Sequence, residues 1–188
     1  MQEEPGFHID LSKTLIQDGP KFLSHTVVIS GNNAYLRPTI SSMLFCFIYI
    51  VVGAFLTTLA SYIMITSGQL DLAIFIGGFG VAIATFGVTL IQPFLKRARF
   101  DRKKGVFDNG VDRNVKLEQI LSLQINNKVV KRKQALNYHC YELNMLTKNG
   151  RRINVLNHNS INQILIDAEL LKNFLKIEVD DMRREIVL

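Results

Sequence analysis

The chain reads as a membrane α-helical hairpin plus a soluble α+β domain, and three features of its 188 residues predict this. Two long apolar runs, Met43 to Ile65 and Leu72 to Phe94, contain no Asp, Glu, Lys, Arg or His. After them the hydrophobic period switches to two, the alternation of half-buried strands. The last third then carries apolar residues three and four apart, which makes one face of a helix.

Each apolar run is long enough to cross a bilayer, because about 20 helical residues at about 1.5 Å each span a hydrocarbon core of about 30 Å. The joining segment, Thr66-Ser-Gly-Gln-Leu-Asp71, is too short to hold a domain and returns the chain directly. Lys96, Arg97, Arg99, Arg102, Lys103 and Lys104 follow the second run against only Asp101, while the turn carries Asp71 and no positive charge. Basic residues near span ends stay cytoplasmic, so both termini are expected inside. The first run begins too far into the chain, and is too long, for a cleavable signal.

Small residues set the expected packing of the spans. Gly53, Thr57 and Ser61 repeat every four residues on the first, and Gly80 with Ala84 on the second, with Gly77, Gly78 and Gly87 nearby. Such spacing makes a shallow groove for close helix approach, either within the hairpin or at a homo-oligomer seam. Neither run holds an ionisable residue, which argues against an ion or proton path.

Before the hairpin, His25 to Ser30 and Ala34 to Arg37 read as strands around the turn Gly31-Asn32-Asn33. Farther upstream, Phe7, Ile9, Leu11, Leu15 and Ile16 fit either a short strand or an amphipathic piece, ending at Gly19-Pro20. After the hairpin, Arg99 to Arg102 and Val106 to Asp108 flank Lys103-Lys104-Gly105, with glycine at the tight turn. A strand is expected from Ser122 to Asn126, with room to continue to Val130. Tyr138 to Leu146 and Arg152 to Leu156 alternate around Asn149-Gly150, a strong hairpin signal. Asn159 or Ser160 can cap the final helix, whose expected apolar face is Ile161, Ile164, Leu165, Ala168, Leu171, Phe174 and Leu175.

Strands in series followed by one amphipathic helix predict a small antiparallel β-sandwich or barrel closed by that helix. The expected division is residues 1–38, a cytosolic segment with a short β-hairpin; 39–95, the transmembrane hairpin; 96–178, the cytosolic domain; and 179–188, a tail. This order resembles the pleckstrin-homology-like (PH-like) domains that bacteria attach to transmembrane hairpins. More narrowly, Phe100-Asp101-Arg102 with Gly105 and Phe107, Leu121-Ser-Leu-Gln124-Ile125, Tyr141-Glu142-Leu143-Asn144, Gly150-Arg151-Arg152-Ile153-Asn154 and Asp167-Ala168 before Phe174-Leu175 are similar to a family of uncharacterised two-span bacterial inner-membrane proteins. The resemblance covers residues 40–177 and is most specific at the Leu-Gln-Ile and Glu-Leu-Asn strands. It implies a fold and a bacterial inner-membrane location, and no activity. After the helix the family has a Pro and a Trp where this chain has Lys176-Ile177-Glu178-Val179.

Catalytic, cofactor and metal roles find little support. His8, His25, His139 and His158 share no metal-ligand spacing, although His139 and His158 can approach across a sheet, and Cys46 and Cys140 are isolated. Gly78-Phe-Gly80 lies inside a span, so it opens no dinucleotide site. Asp101 and Glu142 are single carboxylates on predicted strands, without the paired environments of acid-base work. The net charge of +6 concentrates near the membrane and in the C-terminal half. There each cation near anionic headgroups contributes about 1 kcal/mol, which explains the charge without nucleic acid. Lys128, Lys131, Arg132 and Lys133 crowd an expected loop, a candidate contact for anionic lipid or an acidic protein.

The expected function is a non-enzymatic, membrane-anchored binding module contacting a protein or membrane lipid. The alternative is an immunity protein that neutralises a membrane-acting toxin delivered by a secretion system. An oligomeric channel is the third possibility.

Overall fold

The computed structural model describes residues 13–95, 98–110, 114–133 and 136–183. The chain divides into two compact units, residues 38–96 and the segments on either side of them together.

The inserted unit is a pair of long apolar helices, α1 (Ile40–Ser67) and α2 (Leu70–Leu95). Both are long and apolar enough to cross a membrane. Thr39 caps α1, its side chain accepting from the Ser42 N–H, and Gly68 ends it at φ 64°. Only glycine adopts that left-handed conformation freely, which explains the abrupt reversal. Beyond Ser42 in the first turn of α1, the buried small residues of the pair are Cys46, Gly53 and Ala60 on α1 and Ala73, Gly80 and Gly87 on α2. Both sets repeat every seven residues, the period of an antiparallel left-handed seam.

The second unit is sheet-rich with one helix. Its first sheet holds, in spatial order, β1 (His25–Ser30), β2 (Asn33–Pro38), β3 (Arg99–Asp101), β4 (Val106–Asp108) and β5 (Asn114–Lys116). The expected separate N-terminal hairpin is therefore part of this unit: β2 pairs antiparallel with β3, placing Ala34 opposite Phe100. Gly31 (φ 56°) and Gly105 (φ 66°) make the tight turns, both foreseen from the sequence.

The second sheet has the order β8-β7-β6-β9, from β6 (Ile120–Val130), β7 (Tyr138–Thr147), β8 (Arg152–His158) and β9 (Glu178–Asp181). The β7–β8 hairpin turns at Asn149-Gly150 as predicted. Strand β9 corrects the expected tail: residues 178–181 pair in parallel with β6, Val179 opposite Leu123. The two sheets do not form a closed barrel.

Helix α3 (Ile161–Leu175) starts at Ser160, whose hydroxyl accepts from the Gln163 N–H. Its buried face is Ile164, Asp167, Ala168, Leu171 and Phe174. Ile161 and Leu165, expected on that face, are exposed at 38% and 39%. The core joins α3 to both sheets through Val27, Leu36, Phe100, Phe107, Leu123, Ile125, Leu143 and Met145, with the rings of Phe100 and Phe107 at 4.4 Å. Burying each large side chain contributes roughly 1.5–3 kcal/mol.

Candidate functional site

The basic residues do not form one patch. Lys96 and Arg97 lie outside the described residues. Arg99 is half-buried in β3, and Arg102 sets its guanidinium over the Phe174 ring, 4.2 Å from the centroid, while donating to the Phe174 carbonyl. Arg102 thus clamps the β3–β4 turn to the end of α3, leaving Lys103 and Lys104 exposed on that turn.

The cluster at 128–133 also divides. Lys131, Arg132 and Lys133 are exposed after β6, and Arg132 donates to the Tyr138 hydroxyl at 3.3 Å. Lys128 is not on this loop. It lies within β6, 8% exposed, with its ammonium 3.2 Å from a Glu142 carboxylate oxygen, and Glu142 is fully buried. Alternation explains the difference: Gln124, Asn126 and Lys128 share one face of β6, opposite Asn144, Glu142 and Cys140 on β7. An alternating polar face suggests solvent, yet every one of these residues is buried.

Residues 13–21 cover the Lys128, Cys140 and Glu142 part of that face. They run over this face as an irregular strap, with Leu15 and Ile16 in neither strand nor helix; Phe7, Ile9 and Leu11 lie outside the described residues. The grip is on main-chain atoms. Glu142 accepts from the N–H groups of Leu15 (2.8 Å) and Ile16 (3.4 Å), and Lys128 donates to the Ile16 carbonyl. Arg152 donates to the Lys13 carbonyl (2.8 Å), Tyr138 to that of Gly19 (2.6 Å) and Asn159 to that of Lys21 (2.6 Å). Gly19 presses on Cys140, where any Cβ would overlap the sulfur. Burial pushes the Cys140 thiol above its ordinary range, with the Lys128 ammonium opposing.

Asparagines continue the polar row: Asn144 donates to Asn126 (3.4 Å) and Asn154 to Asn144 (3.0 Å). Gln124 is fully buried, and neither end of its amide meets a hydrogen-bond partner among the described residues.

A second buried polar cluster lies beneath α3. His158 and Asp167 are fully buried, Nε2 to Oδ2 at 2.6 Å, and the other carboxylate oxygen accepts from the Val27 N–H (3.0 Å) and the Gln163 amide (3.1 Å). One carboxylate therefore ties β1, β8 and α3. The His158 ring turns to Asp167, on the core-facing side of α3, rather than to the exposed His139. His25, on β1, is held below its ordinary value by burial and then by His158. Among the described residues no three His, Cys, Asp or Glu side chains converge to hold a metal ion.

On the helical pair, the proposed small residues serve the hairpin itself. A Cβ on Gly53 would fall 2.6 Å from the Gly80 carbonyl and 2.7 Å from the Ala84 Cβ; one on Gly80 would fall 2.8 Å from the Thr57 hydroxyl. Ser61 is exposed and bonds its own helix at Thr57, so Ala60 takes the seam position expected of it. Gly78 meets nothing within 4 Å. The foursome spacing captured Gly53 and Thr57; the sevenfold repeat through Cys46, Gly53 and Ala60 is what selects the seam.

No family model matches this chain, and no curated protein shows a significant similarity to it.

Proposed function

We propose that this protein is a non-enzymatic binding module with a PH-like soluble unit, anchored in a bacterial inner membrane with both termini cytoplasmic, and that it contacts a protein partner or anionic lipid. The pairing of β2 with β3 carries the reading: these strands flank the apolar hairpin in sequence and neighbour each other in one sheet. Both ends of a membrane-inserted pair must then lie on the same side. The basic residues from Lys96 to Lys104 support the cytoplasmic side, where such residues concentrate.

The exposed Lys131, Arg132 and Lys133 are the electrostatic contact of this reading, and Lys128, already neutralised by Glu142, drops out of it. The full-length protein in nanodiscs, mixed with vesicles of phosphatidylglycerol and phosphatidylcholine, tests the contact by flotation. Changing the three residues to Ser should weaken association and remove most of its salt dependence, since exposed charges are screened within about 10 Å at 0.1 M salt. Unchanged salt-dependent association would remove lipid contact through this loop.

The immunity alternative would act through the outer faces of the spans, because Gly53, Gly80 and Ala84 are occupied by the hairpin. Gly78, a glycine of α2 with open space around it, is a position where a toxin would meet it. A bulky Gly78 substitution that abolished protection of a toxin-challenged cell would favour that reading over the module.

A further inference from the structure

Among the described residues, six hydrogen bonds hold residues 13–21 to the second sheet and its flank, and all six reach peptide groups of the strap, while the Lys21 ammonium lies over the Tyr138 ring. Glu142 takes two successive N–H donors, while Lys128, Arg152, Tyr138 and Asn159 each take a carbonyl. Two adjacent N–H donors and four carbonyl acceptors within nine residues are the peptide groups of a bent, irregular polypeptide, which neither a phosphate headgroup nor a nucleotide offers.

The strap can leave without opening the core. The buried core cluster takes nothing from residues 13–21, and Leu15 and Ile16 are 43% and 40% exposed. The side chains it contacts on this face include the buried charged pair Lys128 and Glu142. Uncovering Lys128 and Glu142 returns their charges to water. A segment with few apolar contacts opens at a lower free energy than the fold as a whole.

The register is selective at one place. Gly19 carries no positive φ, so its requirement is the close approach to Cys140 rather than backbone conformation.

We infer that the face of the second sheet around Lys128, Cys140 and Glu142 is a polypeptide-binding surface, occupied in cis by residues 13–21, and that it takes in exchange a segment of a partner protein held by its main chain with glycine over Cys140. This rests on the binding-module reading above and names the class of partner.

The test uses the full-length protein in detergent micelles and a labelled synthetic peptide of residues 12–22. Gly19→Val in the protein should dislodge the strap without touching the core. The peptide should then bind at least about tenfold more tightly than to the parent, because the competing cis segment is removed. A peptide carrying the same Gly→Val change should bind about tenfold more weakly. Adding Glu142→Gln should weaken the native peptide by a similar factor, as expected when the charge of a double acceptor is lost. In a Cys46→Ala background, Cys140 should react faster with a thiol reagent once the strap is dislodged. A Gly19→Val protein that melts like the parent yet gains no peptide affinity, or takes the valine peptide equally well, would overturn the inference.

Hydrogen exchange on the unmodified protein decides the matter independently of any variant. The Leu15 and Ile16 amides should exchange before those of β6 and β7; exchange only with global unfolding would make the strap structural. Peptide failure with the Lys131–Lys133 vesicle dependence intact removes this surface alone, whereas failure of both removes the module reading.

Discussion

Replacing Asp167 by Ala is the sharpest test of how the soluble unit is held together. The change removes the acceptor for the Val27 N–H, the His158 Nε2–H and the Gln163 amide in one step. Gln163 is half-buried and can turn to water, but Val27 and His158 are buried and cannot. Each orphaned donor costs about 1–3 kcal/mol, so the loss should be about 3–5 kcal/mol, the range for breaking a buried pair by removing one partner. In a unit of this size that lowers Tm by roughly 10–20 °C. Asp167→Asn keeps an oxygen for Val27 and should lose less than half as much. With no Trp in the chain, tyrosine near-UV circular dichroism of the full-length protein in micelles reports the melt. An Asp167→Ala protein melting within about 2 °C of the parent would refute the claim that this carboxylate joins β1, β8 and α3.

Three further outcomes are expected. Ile164→Asp should cost several kcal/mol, because it buries a carboxylate where Ile164 is fully enclosed, while Leu165→Asp on the exposed side should change the same melt by less than about 1 kcal/mol. Gly53→Leu should destabilise the helical pair by about 1–3 kcal/mol in a denaturant titration, whereas Gly78→Leu, with open space around it, should be tolerated. Because the folded state holds His25 below its ordinary 6.5, the unfolded chain takes up this proton first as pH falls; stability should decline below pH 6.5, and His25→Gln should flatten that decline in the same melt.

The turns and elements of this fold were largely legible. Gly31, Gly105 and Asn149-Gly150 mark the hairpins by backbone chemistry, and the charge-free runs mark α1 and α2 by length. Faces were harder to assign. Leu165 fits an apolar helix stripe as well as Asp167 fits a polar one, and the structure exchanges them because His158 and Val27 supply Asp167 with partners distant in sequence. Lys128 belongs to the same class: beside Lys131, Arg132 and Lys133 it looks like loop charge, and only the β6–β7 register brings Glu142 to it. Strand β9 escaped for a third reason. Glu178-Val-Asp-Asp181 is polar and short, and its strand conformation comes from the β6 edge rather than from its own propensity.

The insertion of the hairpin between β2 and β3 also sets a clock on assembly. A ribosome delivers β1 and β2 first, then the whole of α1 and α2, and only afterwards the strand that β2 must meet. Until then Ala34 has no Phe100 opposite it, and β2 offers an unfilled edge. Under the membrane-anchored reading proposed above, a chain that threads only one of the two helices strands β2 and β3 on opposite sides of the bilayer and never completes its first sheet. Correct insertion is thereby recorded in the soluble unit itself, as the difference between a closed hydrophobic core and one that a protease can find.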